Sequence, residues 1–278
     1  MPAILTRFNR FFLVLSASYV LSATSLAALP ILPGEHYAWL GDQIYDKECN
    51  SQNSCLTHWN EGEDFPSLGI GHFIWYRQGQ AEAFEETFPH LLTFLQANGI
   101  ELPDWLGDPM AANNPWTDRQ AFYADYDKPL LSELRQLLFE TRNLQAAFIV
   151  QRFEHTTQDI IDATPPSQRQ IVEQRLLEIA NSEAPLGLYA LIDYLHFKGS
   201  GLNNSERYQQ QGWGLQQVLL QMRSDANSLQ DFVIAAKQVL QRRVANAPAE
   251  RNEQRWLRGW HNRVESYLTP LPPPTLAR

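Results

Sequence analysis

Apolar residues recur every three or four positions along most of this chain, and the departures from that rhythm gather in two places. From Glu35 to Glu48, Tyr37, Leu40, Ile44 and Tyr45 share one face, which predicts a helix that ends at an acid. Residues 50–53 are polar and read as loop. Cys55–Trp59 and Ser67–Tyr76 then look like two short strands flanking the turn Asn60–Pro66, a hairpin. Beyond Tyr76 the helical period returns, predicting helices over 80–98, 117–124, 127–153, 155–163, 166–181, 186–197, 215–222 and 255–267. In the last of these, Trp256, Trp260 and Val264 form an inward stripe and Arg255, Arg258 and Arg263 are expected to point elsewhere. The second departure is Lys198–Gly214, whose glycines and amides predict an ordered loop rather than packed core. The pattern as a whole predicts a mainly α (α+β) protein with a small β-hairpin lobe packed beside a larger helical lobe.

Arg7 and Arg10 precede an apolar run from Phe11 to Ala28, and Ser25-Leu26-Ala27 offers small residues of the kind a signal peptidase reads. Residues 1–27 therefore read as an export signal, with an uncleaved membrane anchor as the alternative, since the run is about as long as a spanning helix needs. The expectation is one domain over 28–269, a Pro-rich tail over 270–278, no stable membrane span after cleavage, and a periplasmic or secreted location. Export also makes a Cys49–Cys55 disulfide the natural reading of the two cysteines, a pair of free thiols being the other.

The formal net charge is −9 and becomes two units more negative once Arg7 and Arg10 are removed, which argues against a nucleic-acid partner. No cofactor and no metal is expected. Two cysteines without a matching His pair do not make a four-ligand zinc site, and no Gly-x-Gly-x-x-Gly, P-loop or His-Glu-x-x-His run is present. Acid and base hydrolysis of a glycosidic bond needs a sheltered carboxyl and a second one held ionised across the bond. Glu48, after Ile44 and Tyr45 and beside the cysteine loop, is the sheltered candidate; Glu61, Glu63 and Asp64 lie in the hydrated turn. Trp59, His72, Trp75 and Tyr76 are placed to line or underlie a cleft there, where aromatic faces stack on sugar rings. Core packing is the competing reading, favoured for Trp75. Asn203, Tyr208, Gln211 and Trp213 form a second candidate surface suited to hydroxyl and N-acetyl groups.

The run Ser67-Leu-Gly-Ile-Gly-His72, with the turn acids before it, resembles the hairpin of phage-type lysozymes. There a helix carries the catalytic Glu and leads into a small hairpin, with an Asp in its turn and a hydroxyl residue two positions before the Gly-x-Gly-His run. Gly259-Trp-His-Asn-Arg-Val-Glu265 is similar to the Gly, large apolar, two basic, acidic pattern in which such enzymes often end. The hairpin covers about a tenth of the chain. The resemblance implies a remote member of the lysozyme-like superfamily, which also contains chitosanases and lytic transglycosylases. It assigns Glu48 as general acid, Glu61 as the turn acid with Glu63 its close competitor, and Ser67 as the hydroxyl that helps hold water. The departures are a longer gap after Glu48, Glu instead of Asp in the turn, and a neighbouring Asn60 that could claim that position. The implied substrate is a β-1,4-linked amino-sugar polymer, peptidoglycan first and a chitosan-like polymer second. The contrasting reading is a non-catalytic envelope protein that binds glycan or a protein partner in the same cleft.

Overall fold

The computed structural model describes residues 32–80, 84–223 and 228–269. The expected export signal (1–27) and Pro-rich tail (270–278) lie outside the described residues. The described residues include ten α-helices, six short 3-10 helices and two small antiparallel sheets. Helix α1 (Gly34–Cys49) ends where Asn50 adopts a left-handed conformation, a conformation Asn tolerates at a helix end. A 3-10 turn (Asn53–Leu56) then feeds the first sheet, β1 (Thr57–His58), β2 (Ser67–Leu68) and β3 (Phe73–Ile74), in the order β1-β2-β3. Thr57 faces Leu68, and Ser67 faces Ile74.

This sheet corrects one expectation. Ser67–Tyr76 is two strands, not one, and Gly69–His72 is the turn between them, with Gly69 at φ 66° and His72 at φ 49°. The buried side chains of Leu68, Ile70, Phe73 and Trp75 had masked the turn, because they keep the run apolar through it.

The helical body follows: α2 (Phe88–Ala97), α3 (Arg119–Ala124), α4 (Pro129–Glu140), α5 (Arg142–Asp162), α6 (Arg169–Asn181) and α7 (Leu186–Lys198). Helix α2 starts at Phe88, not residue 80, because Pro89 fits only the first turn, where a missing N–H costs nothing. The helix expected over 127–153 breaks at Thr141, and α5 runs on to Asp162. Helix α1 packs along α5, and Gly41 allows it: an added Cβ would lie 2.7 Å from the Arg142 carbonyl oxygen. Every residue of α7 from Leu186 to Tyr194 is buried, as befits a helix apolar all round, and its single acid, Asp193, is buried with the rest.

After α7 the Gly- and amide-rich stretch folds into β4 (Arg207–Tyr208) and β5 (Gln211–Gly212), and α8 (Leu215–Gln221) follows. Contrary to expectation it contributes to the core, with Gly212, Trp213 and Gly214 all buried. Helix α9 (Leu229–Asn246) was not expected at all, although Ser228 and Asp231 form a reciprocal capping box at its start. Helix α10 (Gln254–Glu265) closes the fold against α9. Val264 is buried as expected, but Trp256 is 41% exposed and Arg263 turns inward, opposite to the outward direction read from the sequence.

Candidate active-site cleft

Glu48 sits in the last turn of α1, braced by the Cys49–Cys55 disulfide, whose Cα atoms are 5.3 Å apart. Its carboxylate is 16% exposed and accepts a hydrogen bond of 2.8 Å from Arg263 Nη2. The same guanidinium binds Asp193 through both ends of its fork, at 2.7 and 2.9 Å, and the Tyr267 hydroxyl donates to Asp193 as well. Burial works against the charge on Arg263, but the bonds from Asp193 and the nearby Glu48 outweigh it and hold the guanidinium protonated. A buried Asp193 is tolerable for the same reason: its oxygens are taken up by a cation and a hydroxyl. The result is a fixed carboxylate. Glu48 cannot swing without giving up a charge-assisted hydrogen bond.

Opposite Glu48 stands His72, at the end of the Gly69–His72 turn. That turn is anchored from α5 by Gln145, a fully buried amide whose Oε1 accepts from Ile70 N at 3.0 Å and whose Nε2 donates to the Leu138 carbonyl at 2.6 Å. A Cβ at Gly69 would come within 2.3 Å of that Oε1, so the turn needs glycine both for φ and for space. His196, in the last turn of α7, brings its ring to 6.0 Å from that of His72. Burial, then the neighbouring His196, pull the His72 pKa below its ordinary value, and Glu48 opposes them.

Glu48 and His72 lie where two cavities meet. One, of about 430 Å³, runs between β3, α5 and α7 and is lined by apolar groups such as Ile70, Ile149 and Phe153, with Asn203 at its edge. The other, of about 590 Å³, is bordered by Ser67 and His58 of the sheet and by Arg119, Tyr123 and Tyr126. In it Tyr123 and Tyr126 stack at 6.0 Å, and a hydrogen-bond chain runs from Tyr123 through His58 to Asn60 and on to Glu63. The two spaces together form a groove with a carboxylate at its midpoint, flanked by polar and aromatic surface.

The sequence-derived residues divide accordingly. Glu48, Ser67, His72 and Asn203 border the groove. Glu61 is exposed and lines neither cavity, and Glu63 is spent on Asn60 Nδ2 at 3.0 Å. Trp59 is core, 1% exposed, with its indole N–H donating to the Glu63 carbonyl. Tyr76 is also buried, and its hydroxyl accepts from Phe84 N. The second proposed surface does not come together at the groove: Tyr208 bonds Glu253, Trp213 packs under Arg243, and Gln211 is exposed in β5. The sequence does not single out Asp193, Gln145 or His196, and it points Arg263 away from the site. The basic position in the Gly259–Glu265 run was the only signal for Arg263; an acid inside an otherwise apolar helix was the signal for Asp193. Comparison of the chain with family models, with curated proteins and with solved structures returned no match.

Proposed function

We propose that this protein has a lysozyme-like fold and cleaves β-1,4 bonds of an amino-sugar polymer, most directly peptidoglycan, with Glu48 as general acid. The observation that carries the reading is the position of Glu48: a fixed, mostly sheltered carboxylate at the midpoint of a groove between a small sheet and a helical body. A polymer laid along the groove would present a glycosidic oxygen to it, with Tyr123 and Tyr126 offering faces for sugar rings.

The surroundings favour one carboxylate over two. In the second cavity the bordering side chains other than Glu48 are neutral or basic. In the first, Glu85 is tied to Arg152 by two bonds, Glu206 accepts from Gly201 N and Asn203, and Asp193 is held by Arg263 and Tyr267. A two-carboxylate hydrolysis needs a free second acid across the bond. A lytic transglycosylase-type cleavage does not. Glu48, carrying a proton on the oxygen that Arg263 leaves free, gives it to the leaving oxygen as the glycosidic bond breaks, then takes one from the substrate hydroxyl that closes on the anomeric carbon, so the proton count balances without a second acid.

The second reading is a chitosanase-like activity, favoured by the net charge of −9, which attracts a cationic polymer. The test is release of soluble fragments from purified peptidoglycan and from chitosan by the wild type and by Glu48→Gln. Release from one polymer that drops at least about a thousandfold in the variant, in keeping with loss of an acid–base group, supports the proposal. Release that survives in the variant, or no release by folded wild type, rejects it.

A further inference from the structure

We propose that Glu48, His72 and His196 form a binding site for a divalent transition-metal cation such as Zn²⁺. The three side chains come from three separate elements, the end of α1, the Gly69–His72 turn and the end of α7, yet each offers a ligand atom within 4.8 Å of the other two. Ligands of a tetrahedral zinc ion with bonds near 2.0–2.1 Å stand roughly 3.3 Å apart, so small rotations about side-chain bonds close the site. Two imidazoles and one carboxylate suit a cation of intermediate softness rather than calcium or magnesium.

Three features single the cluster out from a chance meeting of polar groups. Among the described residues neither imidazole has a hydrogen-bond partner, and both rings border the groove, so their nitrogens remain free to ligate. Only one oxygen of Glu48 is engaged, by Arg263, which orients the carboxylate and leaves the other oxygen available. The charge is right as well. Glu48 and Asp193 together exceed Arg263 by one negative charge, and all three proposed ligands line the first cavity, from which water or a substrate hydroxyl can reach them.

The consequence for activity rests on the glycosidase reading: the metal would take the one Glu48 oxygen that Arg263 leaves free, the same oxygen that has to carry the proton, so metal and turnover exclude one another. The sequence reading expected no metal, from the two cysteines and the lack of a His-Glu-x-x-His run; the ligands proposed here lie far apart in sequence, where no local motif joins them.

The test reads metal directly. The full chain is titrated with ZnCl₂ by calorimetry and with CoCl₂ by visible absorption, alongside His196→Gln and His72→Asn; Asn tolerates the left-handed backbone at position 72. One saturable site per chain, a Co²⁺ spectrum of low coordination number, and affinity lowered at least about tenfold in each variant are expected. No saturable binding to wild type whose circular dichroism is native overturns the site. So does binding that persists in both variants, which would place the ion on other histidines. A chain that binds Zn²⁺ but cleaves neither glycan would keep this site and lose the glycosidase reading; one that cleaves without binding would do the reverse.

Discussion

A single guanidinium holds the proposed chemistry in place. Arg263 reaches Asp193 with both ends of its fork and Glu48 with one, a geometry that a point-charge ammonium cannot reproduce. We expect Arg263→Lys to lower kcat far more than it raises KM, as steady-state kinetics on the responsive polymer will report. Asp193→Asn should also lower stability by roughly 2–3 kcal/mol in a denaturant titration. That lies below the usual cost of breaking a fully buried pair, because Arg263 is 22% exposed. The disulfide acts on the same acid from the other side. Its loop is short, with a sequence separation of 6, so chain entropy predicts a stabilisation of about 2 kcal/mol. Reduction or a Cys55→Ser change should lower the unfolding free energy by that amount, read as a lower denaturation midpoint at unchanged slope, while leaving the secondary-structure signal intact; an unchanged midpoint would contradict it.

At the scale of elements, the local pattern was legible and the partnerships were not. Helix α1 and its terminal acid could be read because period, polarity and the following loop all agree. Helix α9 could have been read from Ser228 and Asp231 and from Leu229, Phe232, Val233 and Val239 on one face. What no local pattern contains is that Arg263 meets Glu48 across 215 positions, or that Gln145 fastens the Gly69–His72 turn. Two predictions belong here. An added methyl at Gly187 would fall 1.8 Å from the Ile179 carbonyl oxygen, where α6 and α7 touch. Gly187→Ala should therefore cost the upper end of the roughly 1–3 kcal/mol of overpacking, read as a fall in thermal midpoint. The second concerns Glu253, which ties the start of α10 to Arg243 of α9. Burial would raise its pKa, but the bonds from Arg243 and Tyr208 prevail and lower it from 4.5. A depressed carboxyl contributes stability above its unfolded value and loses it as pH falls through the folded one. Stability should thus fall below about pH 4.5, and Glu253→Gln should flatten that acid limb in a pH series of denaturant titrations.

For the whole molecule, the groove and the net charge of −9 make opposite demands on the two candidate polymers. Screening over about 10 Å at 0.1 M salt should speed attack on an anionic wall and slow attack on a cationic chain, so the salt dependence of initial rate identifies the better match. The central claim is that Glu48 cleaves a glycan without a second free carboxylate, and mass spectrometry of the products tests it most directly. Wild type incubated with purified peptidoglycan should release fragments with anhydro ends, and Glu48→Gln should release none. Fragments with reducing ends would require a free water-activating carboxylate, which the described residues of the groove do not offer, and would contradict the single-carboxylate account; fragments from the variant would remove Glu48 from the chemistry altogether.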